Sequence, residues 1–271
     1  MSNYIDEIII DDFDSLFELL CQKVYKPDKE KQVVDYECIN KLHSTMVYRG
    51  HKEESYKLES TLERYIRDTF PKVTITNQLF ERICNEYLKH CKNELKGKIQ
   101  EQYILDHDDD VWALGQHYGL KTPLLDWTRS FLIALYFAFE EPTSSSKYRI
   151  VYELNCFMQR EADLIIEPKF QIGSRITAQK GIFTKMLSSY LENLNDLYAN
   201  GDFIDVGKNY RPLKKYKIRS SLREDVMNLL NSLNIDCYTV YPDLQGVIKN
   251  CHIQLDNIIN YKKEIGFNAD Y

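Results

Sequence analysis

The pattern of hydrophobic and polar positions predicts a chain that contains both helices and strands. Apolar residues recur at helical spacing after Asp12 or Asp14, either of which could cap a helix, after Ser60, from Asn77 to about Tyr103, and over residues 223–233. Ser60 is followed three residues later by a glutamate, which is the signature of a capping box at a helix start. These segments predict a helical N-terminal part and several helices of ordinary length.

Short runs of β-branched and aromatic residues predict strands. Such runs lie at residues 45–50, 124–127, 148–154 and 214–218. The last of them carries three lysines, and we expect these to form a solvated basic face. Residues 236–241 are expected to be a short strand or an extended segment, before a final helix that begins at Pro242.

The most apolar part of the chain runs from Gln116 to Ala138, and it holds an aspartate at its centre. A helix with an acidic start is predicted over residues 108–118, with Gly119 as its terminating residue. A buried strand follows, and then a second helix, residues 131–139, which either Thr128 or Ser130 would cap. Burying Asp126 in such a run is costly unless it is paired or hydrogen-bonded, so its presence needs a reason beyond packing.

Composition narrows the class of protein. The chain has 271 residues, 44% of them hydrophobic, and a net charge of −6. These values favour a globular domain and exclude the global basic field of a dedicated duplex-DNA binder. Seven cysteines without a Cys-x-x-Cys pair argue against a disulfide framework and a zinc site, so we expect no metal. The chain shows no membrane-spanning run and no secretion signal at its start, which predicts a cytoplasmic protein.

Four separated motifs resemble those of the FRG domain family, which is named for a Phe-Arg-Gly motif. They are residues 47–50 followed by 56–58 and 60–64, residues 116–138, residues 175–184, and residues 241–244. Tyr48 stands where the family name has Phe, and Ser60 where many members have Pro. The resemblance implies an FRG domain at residues 41–260, between an N-terminal helical extension, 1–40, and a tail, 261–271.

The order of these motifs is also similar to that of the arginine-class ADP-ribosyltransferases. In those enzymes a strand ending in aromatic-Arg-Gly holds NAD, a later strand and helix form the nicotinamide pocket, and a third element brings Glu or Gln to the ribose. Arg49, Asp126 to Thr128, and Gln179 occur in this order. This resemblance implies a single α+β domain whose mixed or antiparallel sheet, split as in those enzymes, is flanked by helices. The second carboxylate of their motif is missing here, so Asp126 or a distant residue such as Glu153 would supply the charge.

The function implied is that of an NAD-dependent ADP-ribosyltransferase or NAD glycohydrolase acting on a nucleic acid or a protein. It would be a toxin-like or antiphage effector, with an antitoxin or defence-system partner. The candidate catalytic residues are Asp126, Thr128 and Gln179. NAD would contact Arg49, Gly50, His117, Tyr118, Trp127, Tyr136 and Arg175. A guanidinium binds phosphate oxygens in pairs, and aromatic rings can stack on the nicotinamide.

Other interpretations of the same residues stay open. A non-catalytic module that recognises a nucleotide or nucleic acid would use the same arginine and aromatic rings, whereas a nuclease lacks an acidic metal cluster in this sequence. Several of the candidate site residues could also have purely structural roles. Arg49 could form an ion pair, His117 could cap a helix, Asp126 could be a buried hydrogen-bond hub, and Gln179 and Arg175 could satisfy loop backbone.

Overall fold

The computed structural model describes residues 5–25, 46–156, 164–169, 178–200 and 211–264. The strands are β1 (Asp6–Ile10), β2 (Met46–His51), β3 (Leu124–Thr128), β4 (Tyr148–Asn155), β5 (Ile165–Ile166), β6 (Gly181–Lys185) and β7 (Leu213–Arg219). The α-helices are α1 (Phe13–Leu20), α2 (Thr61–Thr69), α3 (Asn77–Leu95), α4 (Asp108–His117), α5 (Phe131–Phe139), α6 (Ser188–Glu192), α7 (Leu194–Asn200), α8 (Arg223–Ser232), α9 (Cys237–Val240) and α10 (Leu244–Glu264). A π-helical turn covers Cys21–Tyr25, and 3₁₀ turns cover Gln102–Asp106 and Ser220–Leu222.

The described strands form one mixed sheet of seven, in the order β1-β7-β4-β2-β3-β6-β5. Only β1 and β7 are parallel, and the other neighbours are antiparallel. The predicted α+β class and mixed sheet are therefore confirmed. Strand β2 pairs with β4 along its whole length, but it meets β3 at the single pair Tyr48 and Thr128. The sheet is thus continuous, with one weak junction at its centre.

Helix α5 lies directly on β2 because Gly50 has no side chain. A β-carbon built at Gly50 would come within 2.0 Å of the Ala134 carbonyl oxygen and 2.7 Å of the Ala138 nitrogen. Around this contact, α1, α5 and α8 pack over β1, β2, β4 and β7, whereas α3 and α4 pack over β3 and β6. A third cluster, which includes residues of α6 and α7, fills the other face. The Gly of the aromatic-Arg-Gly motif therefore sets a helix-to-strand distance.

Many local predictions are confirmed by the backbone. Asp12, Ser60 and Ser130 each accept a hydrogen bond from an amide in the first turn of the helix they precede. Gly119 ends the helix before it with a φ of +86°, a conformation that favours glycine. Strands lie where they were predicted at β2, β3, β4 and β7. Within the described ranges, no helix is both long and apolar enough to cross a membrane.

Two predicted boundaries are wrong. The helix that begins at Asn77 ends at Leu95, because Gly97 takes a φ of +73° and turns the chain before the 3₁₀ turn. Residues 237–240 are helical rather than extended, because Asp236 and Thr239 form a reciprocal capping box that starts a helical turn.

Two side-chain expectations also fail. The carboxylate of Glu63 does not return to the Ser60 amide; it accepts hydrogen bonds from the amide and hydroxyl of Ser188 at the start of α6. The expected basic face of β7 is covered and paired. Lys215 lies 2.9 Å from Glu7, because β1 adds to this edge of the sheet.

Candidate functional site

A cavity of about 890 Å³ opens where β2 and β3 diverge, and we call it the junction cavity. Its wall is formed by the end of β2 and the loop after it, α2, the end of α4, β3, β6 and the end of α5. Seven of the residues proposed from the sequence line it: Arg49, Gly50, His117, Asp126, Trp127, Thr128 and Gln179. The single residue pair that joins β2 to β3 leaves room for the cavity at the centre of the sheet.

Arg49 is held across this junction by hydrogen bonds that it donates. Its Nε donates to His51 Nε2 at 2.8 Å, and its Nη1 donates to the Asp126 carbonyl oxygen at 2.6 Å. Desolvation lowers the pKa of Arg49, repulsion from Arg64 acts in the same direction, and the Asp126 carboxylate opposes both. Desolvation and the charge of Arg49 hold the pKa of His51 well below 6.5, so His51 is neutral and can accept. The Nη2 group of Arg49 has no acceptor among the described residues.

Asp126 is not buried, although it lies in the middle of an apolar strand. Its side chain is 61% exposed, and it faces the junction cavity. Oδ1 accepts from Gln116 Nε2 at 2.5 Å, and Oδ2 lies 3.7 Å from Arg49 Nη1. Gln116 is fixed in turn by the hydroxyl of Thr122, which donates to its Oε1. Asp126 is therefore an oriented carboxylate that solvent or a ligand can reach.

Further cations line the junction cavity, and the sequence-based choice of site residues missed them. Arg64 and Arg67 project from α2, three residues apart. Arg67 is neutralised by Glu59, at 2.5 Å. Arg64 and Lys57, in contrast, form no ion pair within the described part of the chain. One sequence signal for this site was available: Arg64 is the last residue of segment 60–64, which carries part of the resemblance to the FRG domain.

The far wall of the junction cavity contains a buried charged group, Glu140, at the end of α5. Its carboxylate accepts from the Tyr241 hydroxyl, with both oxygens at 3.0 Å, and from Lys249 Nζ at 2.6 Å. Burial raises the pKa of Glu140, and the ammonium group of Lys249 partly offsets that effect. These contacts tie α10 to the wall of the cavity.

Thr128, Gln179 and His117 have different surroundings in the cavity. The hydroxyl of Thr128 donates to the Gln179 carbonyl oxygen at 2.7 Å, and the Gln179 amide donates to the Val240 carbonyl oxygen at 3.3 Å. Both side chains therefore hold the wall together. His117 lies in the last turn of α4, with its ring 5.1 Å from the ring of Tyr118.

The three proposed aromatic residues are not brought together. Tyr118 is 77% exposed and lies outside the cavity lining. Tyr136 is 2% exposed and belongs to the core beneath α5. Trp127 is buried, and its Nε1 donates to Thr184 Oγ1 at 3.0 Å, which leaves little ring surface for stacking. Arg175 lies outside the described residues. Within those residues, no group of three His, Cys, Asp or Glu side chains could hold a metal ion.

Comparison with known proteins identifies the central part of the chain. The family model of the FRG domain matches residues 44–147, which include β2, α2, α3, α4, β3 and α5. This match agrees with the resemblance to the FRG domain, and the matched residues supply most of the junction cavity, including Arg49, Arg64 and Asp126. No curated protein and no solved structure matches the chain. The comparisons add no support to the resemblance to ADP-ribosyltransferases.

Proposed function

We propose that the junction cavity binds NAD and that this protein cleaves NAD or transfers its ADP-ribose to an acceptor. The observation that carries the proposal is the presence of two guanidinium groups, Arg49 and Arg64, in one cavity without a full set of acceptors among the described residues. Like charges held close together repel each other, and a bound diphosphate would relieve that repulsion. The cavity volume of about 890 Å³ is also in the range of sites that enclose small molecules.

The accessible carboxylate of Asp126 supports the choice of chemistry. In this reaction the bond between the ribose C1′ and the nicotinamide nitrogen breaks, and nicotinamide leaves with the bonding electrons. An acceptor oxygen or nitrogen, or water, bonds to C1′ and loses a proton. Positive charge develops on the ribose, and a fixed carboxylate stabilises such charge or removes the proton of the acceptor. Gln116 and Arg49 hold Asp126 from two sides for this role.

Roles for the other proposed residues follow from their contacts. Thr128 and Gln179 shape the wall between β3 and α9 in this proposal, because their side chains are engaged with backbone carbonyl groups. His117 lines the same cavity as Asp126 and Gln116, and it forms no hydrogen bond or ion pair with the side chains of the described residues. In this proposal Lys57 and Arg64, which also line the cavity, contact a phosphate group of NAD.

Calorimetry with NAD tests the binding step. The Arg49→Ala variant should lose at least about 10-fold in affinity, because a hydrogen bond to a charged group contributes about 1.5–3 kcal/mol. Arg49→Lys should recover only part of it, since an ammonium group lacks the planar pair of donors. Arg82→Ala is the matched control, because Arg82 is exposed on α3 and pairs with Glu86 away from the cavity. No NAD binding by the wild-type protein would overturn the proposal.

Release of nicotinamide, followed by chromatography, tests the chemical step. Asp126→Asn should keep NAD affinity and lower the rate of release by about 100-fold, a typical loss when one group that stabilises charge is removed. If the wild-type protein binds NAD but releases no nicotinamide with RNA, DNA or protein acceptors, the chemistry is refuted. A non-catalytic nucleotide-recognition module would then be the better description of the site.

A further inference from the structure

Helix α10 contacts the rest of the described protein through its small and polar residues, and its apolar face points outward. Its contacts with the body come from Gly246, Lys249 and Asn250. Cys237 Sγ lies 3.3 Å from the Gly246 carbonyl oxygen, Lys249 pairs with Glu140, and Asn250 donates to the Tyr238 hydroxyl. Ile253, one turn further along, is half-buried on the same side. This inward face is mostly small or polar.

The outward face of α10 is apolar. It carries Leu244, Val247, Ile248, Cys251, Leu255, Ile258 and Ile259. All seven are exposed, and Leu244 reaches 74%. An amphipathic helix gains stability by burying its apolar face, and here that face points away from the described part of the chain. A surface of this kind marks an interaction site.

The spacing of the outward residues specifies another helix as the partner. Leu244, Ile248, Cys251, Leu255 and Ile258 are separated by steps of four, three, four and three residues. That spacing is the heptad pattern of a coiled-coil seam, in which the side chains of two helices interlock. We name these five residues the α10 seam. The seam contains no charged residue, so two copies of it can meet without repulsion between like charges.

We propose that α10 is a dimerisation helix, and that two copies of this chain associate through the α10 seam. A two-fold contact places the same patch on both partners, which suits a seam that is uniformly apolar. The seam and its flanking apolar residues would bury about 600 Å² per copy, or about 1,200 Å² in total, which is at the lower bound of specific interfaces. Lys249, on the opposite face, then connects the dimer helix to Glu140 in the junction cavity.

The seam also contains a cysteine that can be used for chemical cross-linking. Cys251 is exposed and lies midway between Leu244 and Ile258. It therefore falls close to its equivalent in the second copy whether the two helices run parallel or antiparallel. A short bismaleimide should link two unmodified chains at Cys251. Cys251→Ser should abolish the linkage, whereas Cys21→Ser, which removes another exposed cysteine, should not.

Light scattering coupled to gel filtration gives the main test. The wild-type chain should have twice the chain mass, and the double variant Leu255→Glu with Ile258→Glu should have the mass of one chain. Asn257→Glu adds one negative charge at an exposed position outside the seam, and it should remain a dimer. A monomeric wild-type chain, a dimeric double variant, or an equal loss of the dimer in Asn257→Glu would each overturn the proposal. Circular dichroism establishes that each variant is folded, and the cysteine linkage tests the seam without any seam mutation.

Discussion

Replacing Gly50 with alanine distinguishes two possible roles of this glycine, which are contact with NAD and close packing against α5. The sequence suggested that Gly50 contacts NAD, whereas the structure places the backbone of α5 against it. The new methyl group would lie 2.0 Å from the Ala134 carbonyl oxygen and 2.7 Å from the Ala138 nitrogen. Both neighbours are backbone atoms inside a helix, so neither can move aside as a flexible side chain would. The helix and the strand would have to separate.

The size of the effect follows from this overlap. Inserting a methyl group into a packed core costs about 1–3 kcal/mol, and a clash with rigid backbone belongs at the upper end of that range. We therefore expect Gly50→Ala to lower the free energy of unfolding by about 3 kcal/mol. Since about 1 kcal/mol shifts the melting temperature of a chain of this size by about 2–4 °C, a loss of about 6–12 °C is expected.

Urea unfolding, followed by circular dichroism, measures this change. Gly97→Ala is the control, because Gly97 has a φ of +73° but open space around it. That variant should lose only the roughly 1–2 kcal/mol that a left-handed backbone costs a residue with a side chain. A loss below about 1 kcal/mol for Gly50→Ala would refute the packing argument. The role of Gly50 would then have to be sought in ligand binding.

Two other side chains give predictions of a different kind. Hydrogen bonds from Ser146 and Ser145 lower the pKa of Glu53 to about 2, so its stabilising effect is present above pH 4.5 and is lost as the pH falls towards 2. Glu53→Gln should therefore unfold at a lower urea concentration at pH 7, and its stability should depend less on pH below 4.5. The exposed Glu81→Gln should behave like the wild type. Equal pH dependence of stability in the wild type and both variants would exclude this role. Gln116→Ala should lower nicotinamide release by about 10-fold without changing NAD affinity, because Asp126 loses the amide that orients it. Gln100→Ala, at an exposed position, is its control, and an unchanged release rate in Gln116→Ala would remove Gln116 from the site.

Part of the site was predictable because its residues are close in sequence or share one motif. The apolar stretch around Asp126 drew attention to this carboxylate, and the structure exposes it in the junction cavity instead of burying it. Arg49 was expected at a strand end, and it lies two residues before the last residue of β2. The aromatic residues show the limit of this reasoning. Tyr136 follows the helical pattern of α5, but a pattern does not tell which face of an apolar helix meets the cavity and which meets the core.

The sequence by itself determined the local structure of this protein. Caps at Asp12, Ser60 and Ser130, the turn at Gly119, and the alternation of strands and helices all arise from interactions between residues a few positions apart. Backbone sterics and first-turn hydrogen bonds act over that range, so they can be read from neighbouring residues.

Only the tertiary structure decided which distant groups meet. The weak junction between β2 and β3, the placement of Arg64 beside Arg49, and the pairing of Lys249 with Glu140 depend on how strands and helices pack. The outward apolar face of α10 depends on the same packing. Its helical periodicity shows one apolar stripe, but only the position of the body shows that this stripe is left uncovered by the described residues.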